Sequence, residues 1–208
     1  MTYYENRRAG NPYFYRKLEK YLAFFAGSRR LLELGCGQGD FLELCGRQGI
    51  RAEGVDLDAE AVKGCRARGL NVREQDATRA LKTLKGRTDA VFCSNVLEHL
   101  DPADLEALLD AAAAALQRGG KFAASTANPK SLGVLAGPFW EDATHRRLYP
   151  PALLRQLLEA RGFEVLISGE DEDTRSQAWY RVAIRAIRRL LVGPFFGPPE
   201  TALMAVKR

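Results

Sequence analysis

The stretch Leu31-Leu32-Glu33-Leu34-Gly35-Cys36-Gly37-Gln38-Gly39-Asp40 restricts the fold more than any other part of the chain. An apolar run ends beside an acid, three glycines follow at alternate positions, and a helix-like segment begins. Glycine has no Cβ and tolerates positive φ, so such a loop can turn sharply and bring backbone close to a ligand. Strand, glycine turn and helix in this order open a βαβ unit. The dinucleotide fingerprint needs its third glycine one place later, and this chain has Asp40 there.

The rest of the chain continues the alternation. Short apolar runs at 30–34, 51–56, 70–74, 88–94 and 120–126 predict strands, separated by helical patterns near 39–48, 58–68, 78–84 and 102–117. The last of these helices is expected to stop at Gly119 and Gly120, a common helix end. Pro150 and Pro151 open another helix that Gly162 ends, and 163–168 and 201–207 read as the sixth and seventh strands. Such alternation implies a mainly parallel sheet with helices on both faces. An aromatic-rich helix is predicted over 13–25, preceded by Tyr3 and Tyr4, either packed on the sheet or covering a ligand mouth. Between strands six and seven, 179–191 reads as an amphipathic helix. Trp179, Ala183, Ile187 and Leu190 lie on one face and Arg181, Arg185, Arg188 and Arg189 mostly on the other.

The spacing Glu-x-Gly-x-Gly-x-Gly resembles motif I of the class I S-adenosylmethionine (SAM)-dependent methyltransferases. That resemblance implies an α/β fold with a Rossmann-like seven-stranded sheet of order 3-2-1-4-5-7-6, strand 7 antiparallel. Here it would be one domain over 1–208, with an N-terminal helical cap at 1–27 and a helical insertion at 170–199. It also implies SAM as cofactor and S-adenosylhomocysteine (SAH) as product.

Ligands of open parallel sheets sit beyond the carboxyl ends of the strands, and acids recur there. Glu33 sits at the end of the first strand, where a buried charge is costly without a partner; the methionine ammonium suits it. Gly35, Cys36, Gly37 and Gly39 form the loop. Asp56, with Leu57 beside it, ends the second strand and matches an acid that binds ribose hydroxyls. Asp58 reads as a helix N-cap. Asp76, followed by Ala77, matches an acid that contacts the adenine amino group; a capping aspartate is the alternative. Residues 89–100 resemble the family's fourth motif with its Leu-Glu-His ending, which would set Ser94 and Asn95 along the methionine and methyl side. Asn95 stands where metal-using quinone-pathway relatives carry a carboxylate, so no metal is expected. The Asn-Pro-Pro-Tyr type tetrapeptide of nitrogen methylation is absent.

Methyl transfer from a sulfonium is an in-line displacement, and a hydroxyl nucleophile benefits from a base. The chain has two histidines. His145 lies in the 139–149 segment, which resembles the Asp-x-Thr-His-x-Arg loop of small-molecule O-methyltransferases that act on sugars or cell-surface glycan precursors. His145 is the expected base or positioning group, with loop-pinning through Asp142 as the alternative; His99 is a second candidate with a structural alternative. Trp140, Arg146, Arg147 and Tyr149 are the expected substrate residues, the arginines holding an anionic group.

The net charge of +5 is uneven: residues 1–30 carry +5, 31–174 carry −6 and 175–208 carry +6. A mildly acidic core argues against a coat for duplex nucleic acid. A basic amphipathic helix can lie on an anionic membrane surface, so peripheral contact through 175–197 is expected of a cytoplasmic protein acting on a small or lipid-linked substrate. Cys36, Cys45, Cys65 and Cys93 lack metal-ligand spacing and are expected to be reduced thiols. Two other functions fit the sequence: an RNA methyltransferase whose basic flanks hold phosphates, and a SAM-binding regulatory protein without turnover. The oligomeric state is not legible.

Overall fold

A computed structural model of the chain describes residues 12–171 and 197–208, with Ile187 and Leu190, and gives side chains from residue 17 onward. The expected helix over 179–191 and the membrane contact read from 175–197 lie outside the described residues, apart from Ile187, Leu190 and Gly197. So do Tyr3 and Tyr4.

The elements run α1 (Pro12–Phe24), β1 (Leu31–Leu34), α2 (Asp40–Arg47), β2 (Ala52–Asp56), α3 (Ala59–Ala67), β3 (Val72–Glu74), α4 (Ala77–Lys82) and β4 (Thr88–Ser94). A 3-10 turn (Leu97–His99) follows, then α5 (Pro102–Ala115), β5 (Leu116–Ala127), α6 (Leu132–Leu135), α7 (Pro151–Glu159), β6 (Phe163–Glu170) and β7 (Glu200–Lys207). The seven strands form one sheet of order β3-β2-β1-β4-β5-β7-β6. All pairs are parallel except those of β7, which runs antiparallel to β5 and β6. This is the Rossmann-like plan that the family resemblance implies.

Each face of the sheet carries its own core. On one side α4, α5 and α7 cover β1, β4 and β5 through Leu81, Leu105, Leu109 and Leu154. On the other, α1 and α2 press Leu18, Tyr21, Phe25 and Phe41 onto Phe92 of β4. Phe92 lies 4.3 Å from Phe41 and 4.9 Å from Tyr21 by ring centroids, a close-packed aromatic cluster. The N-terminal helix is therefore packed on the sheet from Lys17 onward. Polar ties fix its angle: Tyr21 Oη donates to Asp171 Oδ2 at 2.8 Å, Lys20 pairs with Asp171, and buried Lys17 reaches Glu200 and the Ser94 hydroxyl.

The largest boundary difference from the sequence expectation lies between α5 and β5. The helix predicted over 102–117 ends at Ala115, and Leu116 is already extended and paired with Thr88. The next pair is Ala90 with Lys121, so β5 bulges between them, and Gly119 takes φ 74° within that bulge. The glycine pair serves a strand irregularity rather than a helix end, because the sheet competes for this segment and wins.

Candidate active site at the strand ends

The parallel strands end on one edge of the sheet, and a cavity of about 770 Å³ opens there. That volume is typical of a small-molecule or cofactor site. The β1–α2 loop contributes Gly35, Gly37 and Gln38. Asp56 and Leu57 come from the end of β2, and Asp76 and Ala77 from the end of β3. Ser94, Asn95, His99 and Leu100 line the β4 side, and residues 141–144 close the far end.

Local chemistry explains the loop. Gly35, Gly37 and Gly39 all take positive φ, at 66°, 49° and 76°, which L side chains rarely adopt. A Cβ on Gly35 would also lie 2.6 Å from Cγ2 of Val96, and one on Gly39 would lie 2.5 Å from a Leu70 methyl. The loop is thus fixed both by backbone conformation and by contact. Gly37 N donates to Asp56 Oδ2 at 2.7 Å, and Asp58 N donates to Asp56 Oδ1 at 2.9 Å. Asp58 caps α3 by accepting from Glu60 N and Ala61 N. Asp76 both borders the cavity and caps α4, with Oδ1 accepting from Arg79 N at 2.8 Å. Asn95 holds φ 55°, a left-handed conformation that asparagine tolerates better than most residues; its N–H donates to Ser125 O at 2.9 Å.

Three predicted cofactor residues stand behind the wall rather than on it. Glu33 is buried in β1. Cys36 turns toward β2, where a Cβ on Gly54 would meet its Sγ at 2.7 Å. Gly39 packs against α3 and its neighbours. The four cysteines are free and buried. Burial, then the Glu33 charge, pushes the Cys45 thiol up to about 12 and moves Cys36 in the same direction, so they are protonated packing groups at neutral pH.

The 139–149 segment folds back on the 3-10 turn. Arg146 N and Arg147 N both donate to Glu98 O, at 2.8 and 3.1 Å. Tyr149 Oη donates to Leu100 O at 2.7 Å, and the Arg146 guanidinium pairs with Asp101. Arg147 lies 5.8 Å over the Tyr149 ring. Tyr149 is 1% exposed, whereas Trp140 is 69% exposed and donates Nε1–H to Leu135 O. None of these four predicted substrate residues borders the cavity; their contacts dock the loop.

This docking brings the two histidines together, with ring centroids 4.7 Å apart. His99 borders the cavity. His145 stacks on Phe139 at 4.7 Å, and its Nδ1 lies 2.7 Å from Phe139 O. A carbonyl only accepts, so Nδ1 of His145 carries hydrogen. His145 therefore sits inside the loop, and the wall position falls to His99. Burial, then the neighbouring His145, lowers the His99 pKa below its ordinary 6.5, against opposing contributions from Asp142 and from the Thr144 and Asn95 backbone.

Ligand atoms of His99, Asp142 and His145 fall within 4.8 Å of one another, a set that could hold a divalent cation. Sequence spacing hides this group because it joins two segments more than forty positions apart. Sequence reasoning also missed Glu98. It is buried beneath the turn, accepts from Thr126 Oγ1 at 2.8 Å, and burial raises its carboxyl above the ordinary range. Its place in Val96-Leu97-Glu98-His99-Leu100, an acid in a mainly apolar stretch, was the available signal.

The site fits SAM. Gly35 and Gly37 border the cavity without side chains, and each Asp56 oxygen uses one acceptor direction on the backbone and has a second for a ribose hydroxyl. A family model described as "Methyltransferase domain" matches residues 4–167. The crystal structure of a SAM dependent methyltransferase from Archaeoglobus fulgidus superimposes with TM-score 0.80 and 32% identity, covering 99% of this chain and 100% of that one. A ubiquinone biosynthesis O-methyltransferase from Idiomarina loihiensis is 32% identical over 158 residues, 68% of this chain and 64% of that protein. One of the same name from Xylella fastidiosa is 37% identical over 106 residues, 48% of this chain and 42% of that protein. The matches thus span less than two thirds of these curated relatives. Together with the sheet order and the glycine-lined cavity, they establish that the chain belongs to the SAM-dependent methyltransferases, with SAM as its cofactor.

Proposed function

We propose that the protein transfers the SAM methyl group to a hydroxyl oxygen of a small or lipid-linked acceptor, with His99 taking the hydroxyl proton. SAM supplies an electrophilic methyl on a sulfonium. The protein contributes binding and alignment. Asp56 receives the ribose hydroxyls, Asp76 and Ala77 flank the adenine, and the positive-φ turn at Asn95 with Ser94 borders the methionine side. Glu33 supports this end electrostatically from behind the loop.

The observation that carries the reading is the position of His99 on the cavity wall, where burial lowers its pKa below the ordinary value. A neutral imidazole in a partly dry site is suited to accept a proton at physiological pH. Loop 141–144 closes the same end, so the acceptor would enter against Asp142, Ala143 and Thr144. The two curated relatives named above are ubiquinone biosynthesis O-methyltransferases, so phenolic hydroxyls come first in an acceptor panel, followed by sugar hydroxyls and lipid-linked sugars.

The test is SAH release from SAM with each acceptor, comparing the native protein with His99→Gln. A phenol or sugar methylated on oxygen, with kcat reduced at least about a hundredfold in the variant, supports the proposal. Unchanged turnover in His99→Gln would remove His99 from the reaction.

A further inference from the structure

Thr144 joins His99 to Asp142. Its hydroxyl lies 2.9 Å from Nδ1 of His99 and 2.6 Å from Oδ1 of Asp142. The same Asp142 oxygen accepts from Thr144 N at 2.8 Å, so the two residues form a closed turn that holds the hydroxyl in place.

The direction of the hydrogens follows from donor chemistry. A carboxylate only accepts, so the Thr144 hydroxyl hydrogen points to Asp142. The Thr144 oxygen is left to accept, and the group facing it must donate, which places hydrogen on Nδ1 of His99. In the neutral ring the lone pair is then on Nε2.

We propose that Thr144 and Asp142 are positioning residues that lock neutral His99 in its Nδ1–H tautomer, leaving Nε2 as the basic atom. This rests on the assignment of His99 as the base. As the acceptor oxygen bonds to the methyl carbon, its proton passes to Nε2. The carbon–sulfur electron pair stays on sulfur, and the imidazolium later gives its proton to water. Asp142 balances the imidazolium charge through the Thr144 hydroxyl. On the other side of the carboxylate, His145 Nε2 is 4.0 Å from Asp142 Oδ2. Asp142 thus faces both rings, and the backbone of Asn95 and Thr144 also lies beside His99. A threonine hydroxyl between base and carboxylate fixes the tautomer through two hydrogen bonds.

Long-range proton–nitrogen NMR of the full chain labelled with 15N-histidine reads the tautomer directly. It needs neither SAM nor an acceptor, so it separates this proposal from the methyl-transfer reading. With two histidines, His145→Gln assigns the signals. The expected result near neutral pH is His99 with hydrogen on Nδ1. Thr144→Val, which keeps the shape and removes the hydroxyl, should return His99 toward the Nε2–H form; Thr144→Ser should retain the native pattern. In turnover, Thr144→Val should lower kcat about tenfold to a hundredfold with the KM for SAM unchanged, and Thr144→Ser should restore it. Native His99 in the Nε2–H form would overturn the proposal. So would a Thr144→Val spectrum identical to the native one, or a native pattern that chelator abolishes and zinc restores, which would make the cluster a metal site instead.

Discussion

The Gly37 amide donates to Oδ2 of Asp56 at 2.7 Å, fastening the loop after β1 to the end of β2. One carboxylate thus shapes the glycine loop and faces the cavity that the loop borders. Loss of the carboxylate removes both services together.

Asp56→Ala should weaken SAH binding by about 10- to 100-fold, the size expected for losing charge-assisted hydrogen bonds. Asp56→Asn keeps one acceptor oxygen and should fall between. Isothermal titration with SAH measures both. Equal affinity in all three proteins would exclude Asp56 from the cofactor contact.

Gly35 tests the steric side. Its φ of 66° opposes a side chain, and a methyl group placed there would lie 2.6 Å from Val96. Gly35→Ala should cost about 1–3 kcal/mol of stability in urea unfolding and weaken SAH binding. Adding Val96→Ala should recover part of the loss, because it relieves the contact but not the φ. A double variant no better than Gly35→Ala would show that backbone conformation alone sets the cost.

Tyr149 separates a docking role from a substrate role. Its hydroxyl donates to Leu100 O at 2.7 Å and the ring is buried. Tyr149→Phe should destabilise by about 1 kcal/mol and leave SAH affinity unchanged. A variant of native stability with a raised acceptor KM would return Tyr149 to the substrate site.

Glu98 predicts a pH dependence. Burial raises its folded-state pKa above the unfolded value near 4.5. Its contribution to stability is therefore fully present below that unfolded value and is lost as pH rises through the folded one. Glu98→Gln keeps the Thr126 contact without the charge, so its advantage over the native protein should grow with pH. Urea midpoints measured from about pH 4.5 to pH 8.5 check this; a constant difference would contradict it.

The sheet was legible because mainly apolar runs such as Leu31–Leu34 and 90–93 alternate with helical patterns, and the acids Asp56 and Asp76 fall at or just after strand ends. The order of strands followed from the family resemblance rather than from the runs themselves. The start of β5 was not legible: Leu116 and the glycines after it satisfy helix-stop chemistry as well as bulge chemistry, and only pairing with Thr88 decides between them. The acceptor end was the least legible. His99 and Thr144 come from separate segments without periodicity, and their approach depends on Arg146 N and Arg147 N reaching Glu98 O. Sequence logic favoured His145 because it stands in the richer motif, yet that motif's backbone turns His145 onto Phe139 and presents Thr144 to the cavity.

Methyl transfer to oxygen within this cavity is tested most directly by following the methyl group itself. SAM carrying a 13C-labelled methyl is incubated with the acceptor panel, and the product is read by 13C NMR. The expected product carries a methoxyl carbon, formed with one SAH per product and lost in His99→Gln. A methyl group found on nitrogen or carbon, or a methoxyl product formed equally well by His99→Gln, would contradict the assignment.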